Sequence, residues 1–263
     1  MLPDHYQEQF SELSQIASTA KLNRETINDI QKARARNLAR QIPENSELGE
    51  LARIMVAAIY RDFDEIERLL GGRDTVGFSN ATMQGNFNLA MVDSFLPLNF
   101  LNAAEKSISQ FEDDIDLLKS VARQAIAYGF LDLWEQAIFK LEKLNAEISE
   151  DDCSDFDSIE NVRKAKASLG ISDREIAEYI DVAAKPLRAY FSNDLKLDCM
   201  TSLSYLGASG EELLCIDIEV NADTEDLERL NEQVADELSA HSFGVNVEKY
   251  FFFTLFYGEK VAA

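Results

Sequence analysis

Histidine is nearly missing from this chain: it occurs twice, at His5 and His241, and neither lies in a recognisable motif. A Ser-His-Asp triad or a histidine-based zinc site has to draw on one of them, so both chemistries lack their parts. Cysteine is scarce too. Cys153, Cys199 and Cys215 form no Cys-x-x-Cys pair, and three such residues make no disulfide framework. No apolar run reaches the ~18 residues that span a bilayer. Met1-Leu2-Pro3-Asp4-His5 opens without a basic region followed by an apolar one, so no secretory signal is read and the expected location is the cytoplasm. Positive charge is short as well: 25 Lys and Arg stand against 48 Asp and Glu, a net charge of -23. That disfavours whole-molecule attraction to nucleic acid or an anionic membrane and leaves such contacts to a local basic patch. The acidity serves solubility, or suits a protein that occupies a partner's basic groove.

What is present is enough for a real core. Of 263 residues, 46% are hydrophobic and 28% charged, a globular balance. The pattern is mainly α with a small C-terminal α/β unit. Its expected parts are a helical-hairpin domain over 1–148, a second helical segment over 157–193, and the α/β unit over 197–263. Residues 149–160 carry six acids, Glu150, Asp151, Asp152, Asp155, Asp157 and Glu160, and make the best linker. They lack the central glycine of a calcium loop.

Residues 4–41 predict two helices, with Phe10, Leu13, Ile16 and Ala20 on one apolar stripe and Leu22, Ile27 and Ile30 on the next. The second ends in a basic stretch with no acid over residues 30–40. Lys32, Arg36 and Arg40 are four apart and share a face. Cations there complement the helix macrodipole; the functional alternative is a small dock for an acidic partner or for phosphates. Pro43 stops the pattern.

Residues 46–70 and 117–141 each predict a helical hairpin, closed by Gly71-Gly72 in one and turning at Tyr128-Gly129 in the other. Placing Phe63 on Phe130 aligns "AAIYRDFDEIERLL" with "QAIAYGFLDLWEQAI" at an offset of 67 residues, near two periods of about 33. The hairpins over 48–70 and 117–141 resemble those of ankyrin-like helical repeats of that class. The Thr-Pro-Leu-His turn is absent, residues 81–114 match poorly, and ordinary antiparallel packing gives the same pattern. Residues 71–86, with four glycines and two asparagines, predict a loop.

Residues 169–191, "LGISDREIAEYIDVAAKPLRAYF", carry Ser172 and Glu175 as a capping box, a small Ala177, apolar Ile176, Ile180, Val182, Leu187 and Tyr190, and Pro186 early in a second helix. This segment resembles the bacterial helix-turn-helix motif. It departs from it at Asp181, where glycine is usual at the turn. The resemblance implies DNA binding through Lys185 and Arg188, although residues 157–191 balance six bases with six acids.

The last part predicts β-β-α-β. Thr201, Leu203 and Tyr205 alternate with serines; Leu214, Ile216, Ile218 and Val220 share a face; Asp223 caps a helix with Leu227, Leu230, Val234 and Leu238. "VNVEKYFFFTLFY" suggests a strand covered on both faces, parallel to its predecessor. Asp217 and Glu219, two apart on a strand, with Glu248 beyond the helix, resemble a minimal nucleotidyltransferase arrangement. That implies Mg²⁺ as its metal. The Gly207-Ala208 pair and its short spacing depart from that family, and the solvent face of an ordinary sheet is the simpler account.

The function expected from these observations is a non-enzymatic protein-interaction or regulatory protein. It has no cofactor, and its partner is another protein or a second copy of itself. The partner-binding candidates are Lys32, Arg36 and Arg40. A DNA-binding regulator through Lys185 and Arg188 and a degenerate nucleotidyltransferase using Mg²⁺ at Asp217, Glu219 and Glu248 are the alternatives.

Overall fold

The computed structural model describes residues 4–22, 28–71, 77–148, 156–192, 201–208, 211–220 and 223–257. Helices α1 (Asp4–Leu22) and α2 (Asp29–Gln41) precede three hairpins. These are α3 (Glu47–Tyr60) with α4 (Phe63–Leu70), α5 (Ala81–Asp93) with α6 (Pro97–Gln110), and α7 (Ile115–Tyr128) with α8 (Leu131–Lys143). Then follow α9 (Phe156–Leu169), α10 (Asp173–Ser192), β1 (Thr201–Ala208), β2 (Glu211–Val220), α11 (Thr224–Ser239), α12 (Val245–Tyr250) and β3 (Phe251–Tyr257). Among the described residues, no helix is long and apolar enough to cross a membrane.

The three hairpins repeat every 34 residues in backbone geometry. Their first helices are capped by Ser46, Asn80 and Asp114, whose side chains accept the N–H groups of Gly49, of Thr82 and Met83, and of Leu117. Each turn then passes through a left-handed residue at Arg61, Phe95 and Gly129, with φ of 54, 55 and 71°. The next N–H reaches five residues back, from Asp62 to Ala57, Leu96 to Met91 and Phe130 to Ala125, which satisfies carbonyls orphaned at the helix end. Buried positions keep the same period: Ile54, Asn88 and Ala122; Ala57, Met91 and Ala125; Ile66, Phe100 and Trp134. The aligned turns are therefore 68 residues apart, and Phe63 corresponds to Leu131, one position from the expected Phe130.

The middle hairpin holds a surprise for the loop expected over 71–86. Gly71 does end α4 in the left-handed region, but residues 81–86 are helical. Their amides are used inside. Gln84 Oε1 accepts the Phe78 N–H at 2.9 Å, Gln84 Nε2 donates to Asn88 Oδ1 at 3.1 Å, and Asn88 Nδ2 donates to Ser107 Oγ at 3.1 Å. This buried, satisfied polar chain anchors the first turns of α5 and outweighs the loop preference of Gly85 and Asn86 beside it.

Residues 173–192 also differ from expectation: α10 is one helix, without a turn at Asp181. Asp181 is not among the residues with positive φ, so the left-handed turn that the motif places there is not made. The Ser172–Glu175 capping box is present. Ala177, Ile180, Ala183, Ala184 and Leu187 are buried. Through these α10 lies against α6 on one side and α11 on the other.

The C-terminal sheet has the order β1-β2-β3, with β1 antiparallel and β3 parallel to β2. Leu214, Ile216 and Ile218 of β2 with Phe251 and Leu255 of β3 are buried on one face. The strand expected from Val245 onward begins only at Phe251, because Val245–Tyr250 form α12 under Gly244. One hydrophobic cluster runs from Phe10 through the hairpins to Ile176, Leu214 and Phe251, and a second gathers Ala183, Leu187, Ile218, Leu230, Val234 and Leu255 from α10, α11 and the sheet. Of the acidic linker, residues 149–155 lie outside the described residues, and Glu160 pairs with Arg163 and Lys164 on α9.

Candidate functional site

The basic face of α2 comes to lie over the first hairpin. The α2–α3 corner is tight. Ser46 Oγ donates to Pro43 O at 2.7 Å and accepts from the Gly49 N–H at 3.0 Å. A Cβ at Gly49 would overlap the Pro43 carbonyl, so glycine is what lets α3 begin this close to the end of α2. The closeness leaves a cleft of about 310 Å³ lined by Arg36 and Arg40 of α2, Arg53 and Tyr60 of α3, and Asp62 and Glu65 at the start of α4. That volume is at the small end of ligand-binding cavities.

The charges in the cleft are unequal in availability. Arg53 Nη2 donates to Glu44 O at 2.8 Å, and its Nη1 lies 3.4 Å from Glu44 Oε2. Asp62 caps α4 by accepting the Glu65 N–H at 3.1 Å. Glu65 accepts two hydrogen bonds from Arg68, at 2.5 and 2.6 Å, and these hold its carboxyl below the usual range. Each acid of the cleft is thus engaged. Arg36 and Arg40 are exposed, and among the described residues neither forms an ion pair. The Arg36 guanidinium stands 4.2 Å from the centroid of the Tyr60 ring, with Lys32 Nζ at 5.9 Å from the same ring. The Tyr60 face holds these cations by their attraction to the ring quadrupole, without neutralising them. The cleft offers two guanidinium groups that form no ion pair among the described residues, beside the apolar surface of Ala39, Ile42, Val56 and Ala57 and in a lining that also holds Glu44, Asp62 and Glu65.

The structure therefore brings Lys32, Arg36 and Arg40 together. Tyr60, Arg53 and Gly49 complete the cleft and were not singled out from the sequence. Their only advance signal is the Pro43 stop, which folds α3 back beside α2.

The cations of α10 are placed differently. Arg188 is 8% exposed. Its Nη1 donates to Phe95 O at 2.6 Å and to Asp181 Oδ1 at 3.2 Å. Lys185, 44% exposed, lies 3.7 Å from Glu237 Oε2 and 3.5 Å from His241 Nε2 at the end of α11. Arg188 is a bolt between α10 and the middle hairpin, and the expected pair does not form one outward basic surface. At the other end of α10, Asp173 does the same work. Its Oδ2 accepts the Leu133 N–H at 2.8 Å and its Oδ1 takes Lys166 Nζ at 2.5 Å; Lys166 also reaches Asp132 Oδ2 at 2.7 Å. Burial pushes the Asp173 carboxyl above the ordinary aspartate range, against the pull of Lys166 and the Leu133 N–H.

The expected carboxylate trio is not assembled on two strands. Asp217 pairs in register with Thr254 and Glu219 with Phe256, whereas Glu248 sits on α12, before β3 begins. Glu248 Oε1 accepts the Phe243 N–H at 2.8 Å, closing the start of that helix. The side chains of Asp217 and Glu219 lie outside the described residues. Among the described residues, no group of three or more His, Cys, Asp or Glu is placed to hold a metal ion. No protein-family model, no curated protein and no solved structure matches this chain.

Proposed function

We propose that this is a cytoplasmic, non-enzymatic interaction protein whose helical hairpins present the α2–α3 cleft to an acidic peptide segment of a partner protein. The observation that carries this reading is the pair Arg36 and Arg40, exposed and without an ion-pair partner among the described residues of a chain of net charge -23. In an acidic molecule, such cations beside an apolar wall favour an anionic partner over solvent alone. The 34-residue period of the hairpins supports the same reading. It is the length of the tetratricopeptide repeat, whose stacked units form extended binding surfaces. Three cysteines with no Cys-x-x-Cys spacing in the sequence fit a reducing compartment.

The test is fluorescence anisotropy of a labelled peptide rich in Glu, Leu and Tyr. The molecule as a whole repels such a probe, so binding must come from a local site. The wild type is expected to bind, with affinity falling as salt rises. R36E/R40E is expected to weaken binding about tenfold or more, equivalent to about 1.4 kcal/mol. Equal binding by the wild type and R36E/R40E would remove the cleft from the account.

A further inference from the structure

Building on the reading of the α2–α3 cleft as a dock for an acidic segment, we propose that the group it takes is a phosphorylated serine or threonine of the partner, held by Arg36, Arg40 and Arg53. Charge points that way first. The charged residues of the lining are Arg36, Arg40, Arg53, Glu44, Asp62 and Glu65. Lys32 shares the Tyr60 ring with Arg36, and Arg68 holds Glu65. Five bases thus meet three acids, an excess of two positive charges. A carboxylate brings one negative charge, whereas a phosphoryl group brings about -1.5 to -2 near pH 7. The dianion completes a balance that a glutamate leaves half open. A chain of net charge -23 repels nucleic acid and anionic membrane surfaces, so a single compact dianion on a protein segment is the phosphate this site favours.

The donors agree with the charge. Arg53 Nε is buried and donates to no acceptor among the described residues, although both Nη atoms of the same guanidinium engage Glu44. A buried donor left unpaired is costly, and an arriving oxygen relieves that cost. Arg36 and Arg40 line the cleft from α2 and Arg53 lines it from α3. A flat carboxylate has two oxygens to share between them. A phosphoryl group carries three in a tetrahedral arrangement, which suits guanidinium forks on separate helices. The Tyr60 ring already stations the Arg36 guanidinium, 4.2 Å from its centroid. A volume of about 310 Å³ admits one side chain with its anion and excludes a helix about 10 Å across.

Fluorescence anisotropy with three labelled peptides tests it. They share one acidic sequence containing Leu and Tyr and differ only at the central residue, which is glutamate, serine or phosphoserine. The wild type is expected to bind the phosphoserine peptide about tenfold more tightly than the glutamate peptide, and the serine peptide least. R36M/R40M is expected to erase that preference. Arg53→Lys keeps the charge but not the fork, and is expected to cut the preference about threefold while the glutamate peptide stays within about twofold of its wild-type affinity. Circular dichroism checks that each variant is folded, and the exposed pair R36M/R40M carries the test if R53K disturbs the α2–α3 corner. Inorganic phosphate is expected to compete only at concentrations far above those of the phosphopeptide.

Equal affinity for the glutamate and phosphoserine peptides overturns the proposal and leaves the acidic dock standing. A preference that survives in R36M/R40M overturns it too, as does inorganic phosphate that binds as tightly as the phosphopeptide. The dock itself fails separately, when R36E/R40E binds the glutamate peptide as the wild type does.

Discussion

Helices α2 and α10 both carry cations on one face, and the molecule treats them in opposite ways. On α10, Arg188 is buried and its donors are consumed by the Phe95 carbonyl and by Asp181. On α2, Arg36 and Arg40 stay exposed, Arg36 over the Tyr60 ring, while the acids of their cleft are held by Arg53, by the α4 N-terminus and by Arg68. The same residue type is a bolt in one place and an exposed cation without an ion pair among the described residues in the other. What separates them is the set of acceptors that tertiary packing brings within reach. A motif resemblance points to α10 as the binding helix; the acceptors around Arg188 are the reason we propose α2 for that part instead.

The contrast is most exposed to failure at the buried end of α10. Asp173→Ala is expected to destabilise the fold by about 3 kcal/mol, at the low end for a broken buried pair because Asp132 still reaches Lys166. Urea unfolding gives that number directly. Next in size, Arg188→Met should lose about 2 kcal/mol, since a buried carbonyl and a carboxylate lose their donor. By comparison R36M/R40M should stay within about 0.5 kcal/mol of the wild type, as exposed substitutions do. If the two variants lost equal stability, the division into bolt and recognition group would be wrong.

Gly49→Ala sharpens the cleft side of the comparison. Its methyl group meets the Pro43 carbonyl, and overpacking of this kind costs about 1–3 kcal/mol. Peptide affinity should fall with it, because relief requires the α2–α3 corner to move. The smallest effect concerns α10 again, where it meets α11. Tyr190 donates to Asp226 Oδ2 at 2.7 Å, and desolvation first, then that hydrogen bond, push its hydroxyl up to about 12. A raised value means that this contribution to stability is full below pH 10 and is lost as pH climbs through about 12. Tyrosinate absorbance should show one fewer late-titrating group in Tyr190→Phe than in the wild type.

Much of the architecture was legible because it rests on periodicity. The apolar stripes of α3, α7, α8 and α11 and the alternation of β2 follow from which positions must be buried. Ile30 was misplaced, being 81% exposed, because a stripe near a helix start does not say whether a neighbour reaches it. The 34-residue period was nearly invisible for a physical reason. It is carried by N-caps and by left-handed turn residues, and these roles are filled by Ser, Asn and Asp and by Arg, Phe and Gly in turn. Only Gly129 announces itself. Phe95 holds φ of 55°, with its carbonyl taken by Arg188, a partner 93 residues away. The loop expected over 71–86 failed only at 81–86 among the described residues, where the partners of Gln84 and Asn88 include Ser107 on another helix. At the cleft, the sequence offered the basic face of α2 but not Tyr60 beneath it, which depends on how Pro43 and Gly49 fold the corner.

Hydrogen–deuterium exchange with and without the acidic peptide tests the central claim most directly, because it shows where binding falls on the molecule. The account predicts new protection confined to the C-terminal half of α2, the Ile42–Gly49 corner and α3, with α10 unchanged. Protection centred on α10 or the sheet, with none over residues 36–60, would contradict it.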